Sequence, residues 1–369
     1  MSFKTIVFTG GPCAGKTSAV SILIDLLQSH GYKVYTLPET ATLLFSCGVS
    51  FPDLDDVASY CMQKSILKTM IQIEDVFRQL AALDAKRGLR PILICDRGAM
   101  DPAAYMERKQ WLSMLDELGY SEGALRDDRY DVVVHMVTAA KGAAAFYSLD
   151  SNATRTEGIE YAKQIDTQTM NAWIGHASLQ VIDNESVSNF AEKCDRVVQS
   201  ISTRLGLTQQ QFGIPLLKKK FKISSVGVFP TNVAVREFQV EHIYLINTTG
   251  DTQTRIRKRQ EVGTSICHFT MTVRDFSRAQ RVETRRNMSR SEWDLLKTQS
   301  DPLRCPILKT RKCFVYKDHY FQMDTYQSPR KDLILLEGYV EQESKVPDWL
   351  TSIDVTDNMD YSMFNLALK

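Results

Sequence analysis

Over its first half the chain alternates short, continuous apolar runs with longer stretches of helical periodicity. Phe3–Thr9, Val34–Leu37, Pro91–Cys95, Val132–Val137 and Leu179–Ile182 are too short and too uniformly apolar for amphipathic helices, and they predict strands buried on both faces. Lys16–His30, Val57–Ala85, Pro102–Leu118, Glu160–Gly175 and Asn189–Leu205 repeat apolar residues every three or four positions and predict the helices between them. Such alternation predicts a three-layer α/β domain with a mostly parallel sheet, spanning residues 1–206. After Gly206 the period changes. Residues 207–222, with Gly213, Pro215 and several lysines, read as a linker or a docking strand. Residues 223–369 then carry short period-2 strands separated by turns such as Asn247–Asp251 and Ser328–Lys331. Two helical windows interrupt them, Ser289–Leu296 and Asp357–Leu368, and the second domain is expected to be an antiparallel β-barrel or sandwich.

Composition narrows this only a little. The chain has 369 residues, enough for two cores. No apolar run is long enough to span a bilayer, and Met1–Thr5 leads into a strand rather than a signal peptide, so a cytoplasmic protein is expected. The 8 cysteines include no CxxC pair, which argues for reduced thiols rather than a disulfide framework or zinc site. Net charge is +1, but residues 1–206 hold 20 Lys and Arg against 25 Asp and Glu, while residues 207–369 hold 25 against 19. The basic half is a candidate for an anionic partner.

The strongest chemical signal is Gly10-Gly11-Pro12-Cys13-Ala14-Gly15-Lys16-Thr17, a complete G-x-x-x-x-G-K-[ST] loop between a predicted strand and a predicted helix, continued by Ser18. Its glycines let backbone amides curl around phosphate oxygens, and the helix N-terminus adds positive potential. Lys16 would reach the β- and γ-phosphates of a nucleoside triphosphate, with Thr17 as a ligand for Mg2+. Asp96 ends an apolar strand and is the candidate second holder of Mg2+. Arg97 can serve phosphoryl charge or pair with Asp96 or Glu39, and Asp101 can cap the next helix or ligate. Glu39 follows the second strand, where ligands of doubly wound sheets sit, and is a candidate general base or water-positioning group. Arg155 lies in a polar stretch suited to a lid over the γ-phosphate. Asp183 and Asn184 end the fifth strand, where they could contact base or ribose. No Asn-Lys-x-Asp sequence occurs, so GTP and ATP both stay open.

In the second half the signal is a pattern. Glu237, Gln239 and Glu241 alternate on one strand, as do Arg255, Arg257 and Arg259, Glu283 and Arg285, Lys309 and Arg311, and Glu337, Tyr339 and Glu341. Arg274 and Asp324 fall on strands of the same kind. These are either the solvent face of a sandwich or the lumen of a barrel in which bases grip phosphates and acids pair them or hold a metal. The interspersed acids argue against a nucleic-acid groove.

On these residues the first half resembles the P-loop kinase-like domains grouped as AAA or NadR-like, through Gly10–Thr17, Pro38-Glu39-Thr40, Asp96-Arg97-Gly98 with Asp101 and Tyr105, and Val181–Asn184. The second half resembles a CYTH, or triphosphate-tunnel, domain, through the Glu237/Glu241 strand, Arg255-Ile256-Arg257, Thr270–Arg274, Glu283 with Arg285, Lys309-Thr310-Arg311 and Glu337 with Glu341. The combination is similar to the TRPL-translocation-defect family over nearly the whole chain. That resemblance implies a GTP-binding, GTP-hydrolysing protein that binds phosphoinositides, acts in membrane trafficking and associates peripherally with membranes. One departure stands out: the Glu-x-Glu-x-Lys opening of tunnel enzymes is replaced by Glu237-Phe238-Gln239-Val240-Glu241-His242, which implies a binding or inert tunnel rather than a triphosphatase. Two other readings are a small-molecule kinase with Glu39 as base, and a tunnel triphosphatase.

Overall fold

The computed structural model describes residues 3–49, 54–143, 158–205, 217–247, 251–276, 282–317, 319–340 and 346–369. It divides into two units, Met1–Leu216 and Leu217–Lys369.

In the first unit, β1 (Lys4–Thr9) is buried on both faces, with Ile6, Val7 and Phe8 inaccessible to solvent. It pairs in parallel with β3 (Pro91–Asp96) on one side and β4 (Val132–Met136) on the other. Adding β2 (Lys33–Leu37) and β5 (Leu179–Ile182) gives an all-parallel sheet of order β2-β3-β1-β4-β5. Helices α1 (Lys16–Ser29) and α6 (Phe190–Leu205) cover one face, where Leu23, Leu27, Val197 and Ile201 meet Ile6, Phe8, Ile94 and Val134. The long helix α3 (Asp56–Lys86), capped by Asp55 accepting from the Ala58 N–H, packs against β3. Helix α5 (Ile159–Trp173) completes the layers. This is the α/β P-loop fold that the alternating pattern predicts.

Two departures are local. A short helix α2 (Thr40–Phe45) follows Glu39, and the predicted helix Pro102–Leu118 is broken. Asp101–Tyr105 forms a tight 3-10 turn, Met106 is extended, and α4 (Arg108–Leu118) starts afresh. The reason is Asp101, whose carboxylate is fixed by the Thr9 hydroxyl at 2.6 Å, the Trp173 indole N–H at 2.7 Å and the Gly98 N–H at 3.0 Å. That anchorage turns the chain before a regular helix can run.

Among the described residues the second unit forms one antiparallel sheet of nine strands, in the order β10-β9-β8-β7-β11-β12-β13-β6-β14. The strands are β6 (Leu217–Val226), β7 (Val235–Tyr244), β8 (Thr252–Glu261), β9 (Cys267–Asp275), β10 (Val282–Met288), β11 (Ile307–Tyr316), β12 (His319–Ser328), β13 (Ile334–Val340) and β14 (Leu350–Asp354). The segment expected to link the domains therefore supplies β6 from Leu217 onward, its lysines paired along β13. One face of the sheet carries two apolar clusters. Ile243, Ile256 and Met288 pack under Trp293 of helix α7 (Arg290–Lys297), and Phe314, Phe321 and Met323 pack with Phe229 and Trp349. The opposite face is charged, with Arg259, Lys309 and Asp324 buried on it and other charged residues half-buried. One end is closed by the C-terminal helix α8 (Met363–Leu366), which packs with Tyr244, Ile307 and Leu335.

The register corrects one expectation. Val240 stands opposite Arg259 on β8 and Lys309 on β11, so Phe238, Val240 and His242 share the charged face. Glu237, Gln239 and Glu241 lie on the other face, where Glu241 meets Lys297 of α7 at 3.3 Å and Gln239 bonds Thr310. Both sets alternate with period 2, and polarity alone picked the wrong one. A shift of one residue exchanges the faces.

Candidate functional site

The loop Gly10–Gly15 connects the C-terminal end of β1 to α1. Gly10 has φ 135° and Gly15 φ 87°, conformations that L side chains rarely adopt. A Cβ on Gly10 would stand 2.0 Å from the Met136 carbonyl oxygen. Lys16, 9% exposed, places its ammonium against the Gly10 and Gly11 carbonyls at 3.4 and 3.3 Å. Burial, reinforced by the Arg97 cation, lowers its pKa to about 8. Thr17 and Ser18, by contrast, are exposed at the start of α1.

Asp96 ends β3 beside Phe8 of β1, so it faces the same loop. Its Oδ1 is buried with no protein hydrogen-bond partner, and burial raises its pKa from the ordinary aspartate value. Asp96 could therefore help to hold a divalent cation through its water shell, and the Thr17 hydroxyl is the second candidate holder. Arg97, at φ 74°, donates from Nη1 to the Gly10 carbonyl at 2.6 Å and from Nε to Glu39 at 3.3 Å. Glu39 also accepts from the Thr42 hydroxyl at 2.8 Å. Burial would raise the Glu39 pKa, but Arg97 and Lys16 outweigh it and hold the carboxylate below its usual range. Lys16, Glu39, Asp96 and Arg97 are thus brought together. Behind them lies a small pocket lined by Leu37, Thr40, Met70, Ile73 and Glu74.

Several residues in and around the loop were invisible in the sequence. Asp166 of α5 is inaccessible and accepts from the Gly11 N–H at 2.9 Å, the Thr138 N–H at 3.0 Å and Lys141 Nζ at 2.9 Å. His135 Nε2 lies 3.2 Å from the same carboxylate. Burial opposes the Asp166 charge, yet His135 and Lys141 together hold its pKa well below normal. Lys193 of α6, buried, donates to the Val137 carbonyl at 2.7 Å and to Asn184 at 2.6 Å. Phe190 lies against Gly15, where an added Cβ would be 2.2 Å from its ring, and is 49% exposed. A contact set between helix and loop residues 155 positions apart has no local sequence signature. Asp183 and Asn184 do sit at the end of β5, but both are engaged by the protein. Asp183 caps the Glu185 and Ser186 amides, and Asn184 donates to the Thr138 and Lys141 carbonyls. Arg155 lies outside the described residues.

In the second unit the charged face gathers Arg255, Arg257, Arg259, Arg274, Lys309, Arg311, Asp324 and Glu337. Asp324, 2% exposed, accepts from Lys309 Nζ at 2.6 Å and from Arg311 Nε and Nη2, each at 2.6 Å. Burial works against its charge, and the Arg311 and Lys309 cations hold its pKa below normal. Glu337 meets Lys218 at 2.7 Å and Lys220 at 3.4 Å. Glu283 and Arg285 lie on β10, with Glu283 opposite Arg274, but their side chains fall outside the described set, as does Glu341.

Among curated proteins, none matches the chain. Two crystal structures of NE1496, one described as a hypothetical protein and one as an inorganic triphosphatase, align with 42% of this chain and with 97% and 94% of their own, at 23% identity and a TM-score of 0.31. The PH1819 protein of Pyrococcus horikoshii OT3 aligns with 34% of this chain and 80% of its own, at 17% identity and a TM-score of 0.24. Likenesses at this level carry no argument about activity. The loop, its strand and its helix tell more, and they fall within a region matched as a whole: residues 5–189, half of the chain, fit the AAA domain family, and the chain belongs to that family.

Proposed function

We propose that the first unit binds a nucleoside triphosphate, GTP or ATP, with Mg2+ and hydrolyses it slowly, and that the second unit binds a phosphorylated anion such as a phosphoinositide head group. The observation that carries the first part is the pairing of a half-satisfied ammonium with an orphaned carboxylate. Lys16 rests on two weak carbonyl contacts, and Asp96 keeps a buried oxygen unbonded. Triphosphate oxygens would replace the carbonyls as acceptors for Lys16, while the Gly10–Thr17 amides bind the phosphates. Mg2+, when bound by Thr17 and Asp96, would neutralise phosphate charge. Arg97 already reaches the loop and adds a second fixed cation. Slow turnover follows from Glu39: paired with Arg97 and below its usual pKa, it is a weak base. A regulator of membrane trafficking, working by nucleotide state, fits such a site.

Calorimetric titration with GTP and ATP, with and without Mg2+, tests this reading. Saturable binding is expected, weakened by Lys16→Ala by about 2–5 kcal/mol. The absence of uptake of either nucleotide at millimolar concentration sinks it. A second reading is a kinase for a small acceptor, with Glu39, held beside Arg97 at the loop, as its base. Rapid phosphate transfer to one acceptor in a nucleoside and vitamin panel, against slow release without it, would make that the better account.

A further inference from the structure

We propose that the charged face of the second unit holds a multiply charged phosphate anion directly on its basic side chains, with no divalent cation between protein and ligand. This rests on the reading of that face as an anion site and specifies how it works. Among the described side chains, the acids of this face are already engaged by bases. A divalent ion bridging protein to phosphate needs carboxylate oxygens free to ligate it. Both oxygens of Asp324 are taken, Oδ1 by Arg311 and Oδ2 by Lys309 and Arg311. Both oxygens of Glu337 face Lys218 and Lys220. Glu261, on the same face, is paired with Arg236 at 3.2 Å. Opening the Asp324 pairs to admit a metal would strand the Lys309 ammonium, itself buried, in a poorly solvated place.

The strand that faces the bases from the side of β7 offers no acid in their stead. Its inward positions are Phe238, Val240 and His242, and the Arg259 guanidinium stacks 3.6 Å from the Phe238 ring. His242 is buried, with Nδ1 lacking a hydrogen-bond partner. Burial and the surrounding Lys309, Arg255, Arg257 and Arg311 hold it neutral, its pKa well below the usual value. A neutral imidazole still has one N–H to give an anion. Among the described residues, bases on this face outnumber acids, so the imbalance is positive and enclosed. Closely spaced phosphates match that charge and can be held bidentately by arginine. A single chloride or monophosphate leaves most of it unbalanced. Free polyphosphate and a polyphosphorylated lipid head group share this chemistry.

The test uses the full chain carrying Lys16→Ala, which removes the competing claim of the P-loop on triphosphate. Binding of inorganic tripolyphosphate is read by calorimetry with Mg2+ and again with EDTA at matched ionic strength. Saturable binding is expected in both, with Kd values within about threefold. Arg255→Gln and Lys309→Met should each weaken it at least about tenfold, and Arg255→Lys should restore most of it, with melting curves confirming the fold. A second arm offers phosphatidylcholine vesicles with and without a polyphosphorylated phosphatidylinositol, again in EDTA. Vesicle capture competed by tripolyphosphate points to the lipid source, and tripolyphosphate binding alone to the free anion; either supports the inference. Binding that vanishes in EDTA and returns with Mg2+ overturns it while leaving the anion reading intact, as does metal-dependent phosphate release. No binding of any probe in either condition overturns both.

Discussion

Asp96 and Lys16 are the residues at which structure and chemistry conflict most openly. Burial raises the Asp96 pKa, so the folded protein holds that carboxylate ionised at a cost that the unfolded chain does not bear. The penalty is present above the ordinary Asp pKa and disappears as pH falls below it. Asp96→Asn should therefore raise Tm at neutral pH while weakening nucleotide binding in Mg2+ at least about tenfold, a trade that marks a functional group. A variant that loses both stability and binding would recast Asp96 as part of the scaffold. Lys16 gives a complementary signal. With its pKa lowered to about 8 by burial and Arg97, it is partly neutral at mildly alkaline pH, and triphosphate oxygens should restore its charge. Nucleotide binding near pH 8 should then take up about half a proton, and near pH 6 almost none from this group. Calorimetry in buffers of different ionisation enthalpy measures this. Uptake that persists in Lys16→Met would assign it elsewhere.

Among the elements, the tie between α5 and the loop has the clearest energetic consequence. Asp166 joins the Gly11 and Thr138 amides, and these two amides with His135 and Lys141 surround a fully buried carboxylate. Asp166→Asn should cost about 2–4 kcal/mol at pH 7. Because the folded pKa lies below the unfolded one, the contribution is complete above the ordinary carboxylate range and fades as pH falls through the acid range. The gap between the denaturant midpoints of wild type and variant should thus begin to narrow as pH falls below the ordinary aspartate value. A gap of constant size would mean that shape, not charge, sets the effect. The same scale shows what the sequence could reveal. The strands β1 and β3 and the helix α1 were legible because apolar runs, a glycine loop and helical spacing are local signals, and they place Lys16 and Asp96 together. The break before α4 was not, since it depends on Asp101 reaching Thr9 and Trp173. Nor was the face of β7: Glu237/Glu241 and Phe238/His242 alternate equally well, and only pairing with β8 and β11 distinguishes them. Lys218 and Lys220 hid in a segment that looked like a linker.

For the whole molecule, the decisive fact is that each unit has its own core. The first is built around Ile6, Phe8 and Leu23, the second around Phe314, Phe321 and Leu336 with further clusters at Trp293 and Tyr244. On the readings proposed above the two units take different ligands, a nucleoside triphosphate at the loop of the first and a phosphorylated anion at the charged face of the second. Cores of this independence should unfold as separate cooperative transitions, with a calorimetric enthalpy well above the van't Hoff value. A ligand that binds only one native unit stabilises that unit by RT ln(1 + [L]/Kd), about 2.7 kcal/mol at a hundredfold excess over Kd, or an upward Tm shift of several degrees for a unit of this size. Mg2+ with nucleotide should move one transition and leave the other in place. Lys16→Ala should abolish that shift, whereas Lys309→Met should lower only the transition that nucleotide leaves unmoved. A single transition that shifts as one with either ligand would show instead that the two sites share a free energy, and that occupancy of the loop is felt at the charged face.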